Sequence, residues 1–221
     1  MKHRATCHMM IGAVFLVACS AQLRAEENAP ASPQPMQQPS PAQMQEMMAK
    51  WLATVEPGPN HARLEPFVGQ WTLEMKTWMG GPNSQPTVTQ GQADIKWILG
   101  KRYVQEDSTF EAMRPDKTGQ MKPVTLQGLG ITGYDNYRNT YNTTWFSSES
   151  TQCLTFTGVC DPSGKTFRYY GEMDEPMLDV TGRMIKAVQR IVSDDKIVFE
   201  LYDLHAGDDY KVIEVTYTRK Q

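Results

Sequence analysis

Past residue 25 the chain carries two histidines, His61 and His205, and two cysteines, Cys153 and Cys160, among scattered acids. Catalytic zinc takes three protein ligands, and no spacing joins these histidines to a third. Asp203, Asp208 and Asp209 lack the alternate-residue pattern of a calcium loop and read as a solvated acidic turn. No Gly-x-Ser-x-Gly, phosphate loop or dinucleotide fingerprint stands in a suitable context. The sequence assigns no metal and no catalytic residue. Arg190 is more informative. It stands mid-strand between Val188 and Val192 and shares their face by parity. On the inner wall of a barrel it needs an anion, from Glu172, Glu106, Glu200 or a ligand carboxylate; on the outer wall it is a salt bridge. Glu106 or Glu172 beside a Tyr or Arg would suit acid–base chemistry if burial perturbed its pKa.

The cysteines read as reduced. On one continuous strand Cys153 and Cys160 would lie roughly 23 Å apart on opposite faces, against a disulfide limit near ~7 Å. His61 falls in an entry helix, where capping or packing is its default role, and His205 falls in a hairpin loop.

The elements that position these groups change character along the chain. Met1 to Ala25 reads as an export leader, with Lys2 and Arg4 ahead of an apolar run, Met9 to Ala18, too short to span a bilayer. Leu16-Val17-Ala18-Cys19 resembles the lipobox of bacterial lipoproteins. That resemblance implies acylation of Cys19 and residence in the periplasm or at the outer membrane; cleavage after Ala21 or Ala25 would leave a secreted chain. Residues 26–39, with Pro30, Pro33, Pro35 and Pro39, have no apolar face and form a linker.

Residues 40–56 predict an amphipathic helix. Ser40, Pro41 and Gln43 make a capping-box pattern, and Met44, Met47, Met48, Trp51, Leu52 and Val55 form one stripe. That stripe suits packing on a barrel; the alternative is soft thioether ligation of Cu(I). From Gly69 onward alternation takes over. Ala93, Ile95, Trp97 and Leu99 share a face, as do Tyr141 and Trp145, Ile197, Phe199 and Leu201, and Ile213, Val215 and Tyr217. Turn signals at Gly80–Asn83, Gly100-Lys101, Asp135-Asn136, Asp161–Gly164 and Asp194-Asp195 separate about ten strands. No room remains for crossover helices, so the expectation is an all-β, antiparallel, closed barrel over residues 57–221. Gly128-x-Gly130 inside a strand marks a bend or a close-packing site.

Phe67-Val68-Gly69-Gln70-Trp71, after His61-Ala62-Arg63-Leu64, resembles the opening of a calycin barrel of the lipocalin and fatty-acid-binding type. The resemblance implies that a basic residue of the last strand, Arg219, packs across Trp71. More specifically, Pro57 to Lys220 resembles a bacterial family known as domain of unknown function 1579. The matching stretches include Pro59-Asn60-His61, Lys96 to Gly100 with Arg102-Tyr103, Gly128 to Asp135, Gly171-Glu172-Met173 and Val215 to Arg219. It implies a calycin-like fold and no established activity. Nitrobindin-type barrels hold haem through one histidine, and His205 is the analogue that resemblance offers.

A net charge of −3 and a pI of 5.8 leave no basic surface for nucleic acid, and membrane contact is expected only through a lipid on Cys19. The expected partner is a small hydrophobic or amphipathic molecule in the lumen, lined by Trp97, Tyr103, Trp145, Glu172 and Arg190. An enzyme on the same barrel, or an envelope scaffold binding a protein through the Met-rich helix, are the alternatives.

Overall fold

The computed structural model describes residues 38–78, 80–81 and 83–221; the expected leader, Cys19 and the linker up to residue 37 lie outside the described residues. Helix α1 (Pro41–Val55) starts where the capping pattern predicts. The Gln43 N–H donates to the Ser40 hydroxyl at 3.3 Å, and the Gln43 side chain accepts from the Ser40 N–H at 2.8 Å. Its apolar stripe, however, does not pack on the barrel. Met44, Met47, Met48, Trp51 and Leu52 are all exposed, and α1 buries no residue. The neighbouring end of the barrel is covered by the segment that follows the helix. The tie of α1 to the barrel is polar: Asn136 Nδ2 donates to the carbonyls of Thr54 at 3.3 Å and Glu56 at 2.8 Å.

Helix α2 (Pro59–Ala62) and a 3-10 turn (Glu65–Phe67) lead into ten strands. They are β1 (Gly69–Thr77), β2 (Thr87–Ile98), β3 (Tyr103–Pro115), β4 (Met121–Asp135) and β5 (Thr140–Ser147). Then follow β6 (Cys153–Cys160), β7 (Thr166–Glu175), β8 (Val180–Ser193), β9 (Lys196–Asp203) and β10 (Lys211–Arg219). Each pairs antiparallel with its sequence neighbours, and β1 also pairs with β10, so the wall is closed and has no edge strand.

Alternation sorts the side chains between wall faces. On β2, Ala93 and Ile95 are buried inward while Gln90, Gln92, Asp94 and Lys96 are exposed outward. Leu99 departs from the expected face: it sits in the β2–β3 turn with φ 48° and is exposed. An apolar interior with a polar outer wall is the reverse of a lipid-facing barrel. Among the described residues no helix is long and apolar enough to cross a membrane. Cys153 and Cys160 cap the two ends of β6 as free thiols.

Residues 58–68 cover one end of the barrel. Leu64 and Phe67 are buried there, and the Tyr141 hydroxyl donates to the Asn60 carbonyl at 2.8 Å. His61 is buried too, its Nδ1 accepting the Gly58 N–H at 3.1 Å. Arg219, at the end of β10, donates to the carbonyls of Pro66 at 2.8 Å and Val68 at 2.7 Å. Its guanidinium lies 4.1 Å from the centre of the Trp71 ring. Gly69 makes that reach possible: its φ is 135°, and a Cβ at this position would run into the Arg219 guanidinium. The Gly-x-Trp signature thus has a local cause, a gap at Gly69 through which arginine crosses the indole.

Candidate functional site

Above Phe67 the lumen holds a cavity of about 200 Å³. Most of its wall is apolar, supplied by the inward positions of every strand, with Ile95, Val104, Phe156 and Leu201 among them. Trp145 from β5 fills much of one side. Its indole lies flat over β4, where Gly128 and Gly130 leave the space it occupies; a Cβ at Gly128 would overlap the ring. The paired glycines are therefore a close-packing site.

Few polar groups break this surface. Thr132 and Thr143 satisfy each other at 2.8 Å. Glu106 follows the inward series of β3 between Val104 and Ser108, and the Tyr217 hydroxyl donates to its Oε1 at 3.1 Å. Glu106 keeps some accessible surface because it faces the cavity, yet packed atoms shield it from bulk water. Burial pushes its carboxyl up to about 7; Tyr217 pulls it down, and nearby Asp107 adds to the rise. The Tyr217 phenol is in turn driven well above its ordinary range by burial and by the Glu106 charge. Tyr169 on β7 is buried, and Thr143 is the polar side chain nearest in effect to its hydroxyl. Burial raises that phenol as well, with a smaller opposing pull from Thr143 close by. Gln189 completes the polar set, and among the described residues no Lys, Arg or His lines the cavity.

Of the residues expected to form a pocket, the structure brings Trp145 to the cavity wall. Trp97 faces inward but packs at the covered end, where its Nε1 donates to Glu65 Oε2 at 2.7 Å. Tyr103, Glu172 and Arg190 are on the outer wall. Val104, Gly171 and the pair Ala187 and Gln189 take the inward positions beside them, and period two sends each neighbour outward. Tyr103 lies across the outer side of Gly133, and Glu172 is exposed. Arg190 pairs with Glu200, which also accepts from Lys211 at 3.1 Å. Burial works to raise the Glu200 carboxyl, but Arg190 and Lys211 outweigh it and hold the group below its ordinary value.

His205 is exposed on the β9–β10 loop, with its N–H donated to Asp203 Oδ1 at 3.1 Å. His61 is committed to the covered end. Among the described residues no histidine lines the cavity, so His205 does not fit the histidine-ligated haem that the resemblance offered. Tyr169 and Gln189 were not expected in the lumen, and Tyr217, expected on one face with Ile213 and Val215, was not singled out as a lumen group. The signal for Tyr169 lay in Phe167, apolar and buried two positions before it.

A family model described as "Protein of unknown function (DUF1579)" matches residues 56–219. The chain belongs to this family. No curated protein matches its sequence. Among solved structures, Rv2717c from M. tuberculosis is 14% identical, with a TM-score of 0.51 over 75% of this chain and 100% of that one. The S-type phycobiliprotein lyase CPES from Guillardia theta is 10% identical, with a TM-score of 0.45 over 75% of this chain and 99% of that one. A de novo designed fluorescence-activating β-barrel is also 10% identical, with a TM-score of 0.36 over 71% and 95%. The DUF1579 chain thus has the fold of a closed, calycin-like barrel of ten antiparallel strands.

Proposed function

We propose that this DUF1579 barrel binds a small, largely apolar molecule in its lumen. The carrying observation is the cavity of about 200 Å³, apolar on most of its wall with a few inward polar groups. Such a lining is typical of ligand sites, although the volume is below their usual ~300 Å³ floor and calls for a compact ligand. Native mass spectrometry of the protein isolated from its own cells tests this. A stoichiometric small-molecule adduct is expected, and Ala187→Leu, which fills the cavity, should lose it. A wild-type protein that stays bare when offered compact aromatic compounds would refute the reading.

The site of action proposed for the barrel is the cell envelope, reached through the leader and held by a lipid on Cys19. The same spectrum reports a diacylglycerol mass on the mature N-terminus if that is so.

One observation favours a second reading. Glu106, held at about 7 and hydrogen-bonded to Tyr217, is placed to exchange a proton with a lumen ligand. A bell-shaped or sigmoidal pH profile lost in Glu106→Gln would support turnover at this pair.

A further inference from the structure

We propose that the lumen takes a compact organic ammonium ion, with the Glu106 carboxylate as its counter-ion and aromatic rings around it. This inference rests on the lumen-binding reading and names the ligand class.

Three features of the cavity carry it. The first is a free acceptor. Glu106 is half-buried on the cavity wall, and its Oε1 is taken by the Tyr217 hydroxyl. Oε2 has no protein donor among the described residues, and it is not a sealed atom: it keeps accessible surface. The second is a missing cation. A carboxylate in a low-dielectric interior needs a paired positive charge, or it takes up a proton instead. Among the described residues the wall supplies no such charge. The cross-strand partners of Glu106 are Ile95 on β2 and Gly130 on β4, and Asp107 beside it points outward to Lys96 at 3.2 Å. The other titratable groups on the wall are the phenols of Tyr169 and Tyr217, and burial drives both upward. A positive charge for Glu106 therefore arrives with a guest.

The third feature is a place for that charge. Glu106, Gly130 and Trp145 are direct partners in one row across β3, β4 and β5. A Cβ at Gly130 would lie 3.2 Å from the Trp145 ring and 3.5 Å from Glu106 Cβ, so indole and carboxyl flank one bare glycine. Together these two groups suit an organic cation: the carboxylate supplies charge, and the ring an electron-rich, apolar contact. Volume limits the guest. An apolar cavity of ~150 Å³ accepts a benzene ring, and the present one, at about 200 Å³, has room for one ring with a short substituent.

The Glu106 proton ties binding to pH. Burial lifts its carboxyl to about 7, so in mild acid the empty site holds a proton. A guest ammonium pairs with the ionised carboxylate, and that proton leaves to water, one for each guest bound. Above about 7 the carboxylate is already formed and no proton is exchanged.

The test uses three probes that share one benzene ring and a short tail: benzylamine, ethylbenzene and benzoate. Binding to the full-length protein is measured by equilibrium dialysis at pH ~6 and pH ~8, with benzylamine an ammonium ion at both. Benzylamine affinity should rise roughly five- to tenfold from the lower pH to the higher, as Glu106 ionises. Ethylbenzene should gain nothing, and at the higher pH benzoate should bind at least roughly tenfold more weakly than benzylamine. Glu106→Gln, a neutral isostere, should abolish the pH step and cost benzylamine roughly tenfold at the higher pH, while ethylbenzene binds as before. A lumen that takes ethylbenzene and refuses benzylamine overturns the ammonium site while leaving lumen binding intact. So does a benzylamine affinity matched by benzoate, or one indifferent to pH or to Glu106→Gln. Failure of all three probes to bind overturns the lumen reading and this inference with it.

Discussion

The Arg219 guanidinium lies 4.1 Å from the centre of the Trp71 indole, and the two residues are also direct partners across the β1–β10 seam. One side chain therefore joins three things: the seam, the indole and the segment covering the barrel end. Its hydrogen bonds to Pro66 and Val68 pin that segment, and its Nε donates to the Asp194 carbonyl at 2.8 Å. Arg219→Met should destabilise the fold by about 1–3 kcal/mol, since it leaves two half-buried carbonyls unpaired as well as removing the cation over the ring. Hydrogen exchange should rise first at residues 58–68. Lysine, with a single compact ammonium, cannot serve three carbonyls and should not rescue.

Glu106 makes stability fall as pH rises. Its folded carboxyl sits at about 7 against an ordinary 4.5, so between these values the folded state holds a proton that the unfolded chain has lost. The contribution is complete below 4.5 and disappears as pH climbs through about 7. Chemical denaturation across this window should show wild type losing on the order of 1–3 kcal/mol that Glu106→Gln retains.

Tyr217 stabilises the ionised form of the same carboxyl by its hydrogen bond. Tyr217→Phe should therefore lift the Glu106 midpoint further above 7, with a stability loss of about 1 kcal/mol at neutral pH. Infrared spectroscopy of the carboxyl stretch against pH reads the midpoint directly. A midpoint that falls would contradict the hydrogen-bond assignment.

His61 acts with the opposite sign. Burial lowers its pKa from 6.5, Arg102 lowers it further, and a hydrogen bond with the Tyr134 backbone partly opposes them. The folded state prefers the neutral ring, so its contribution is present above 6.5 and lost as pH drops through the depressed folded value. Amide exchange at the covered end should accelerate in mild acid, and His61→Gln should remove that acid step.

At Gly128 the indole of Trp145 leaves no room for a side chain. Gly128→Ala should push the ring into the lumen, costing about 1–3 kcal/mol and shrinking the cavity. The same change at Gly58, where nothing lies within 4 Å, serves as the control. Any bound small molecule should be weakened by the first substitution alone.

Much of this architecture is legible in the sequence because alternation is local. Inward faces of β9 and β10 follow from Ile197, Leu201, Val215 and Tyr217, each apolar and each buried. Which face is inward at Arg190 is not local. Val188, two positions before it, is only 5% exposed on the outer wall, so an apolar neighbour points the parity argument at the wrong side. Deciding the sign takes the cross-strand partners of Val188, Glu200 on β9 and Arg168 on β7, which polar spacing alone does not reveal. The methionine stripe misleads for a similar reason. Its period specifies a helix correctly, but coverage depends on a surface elsewhere in the chain, and residues 58–68 already occupy the end of the barrel.

The seam between β1 and β10 sets a timetable for assembly. Thr72 and Thr218, joined by a hydrogen bond at 3.2 Å, are 146 positions apart. Until the nine residues of β10 arrive, the nascent sheet is an open ribbon with two raw edges and an uncovered apolar face. Such a barrel cannot close before its tenth strand is available, and its period of greatest risk is the interval before that strand pairs with the first, when a rapid finish matters most.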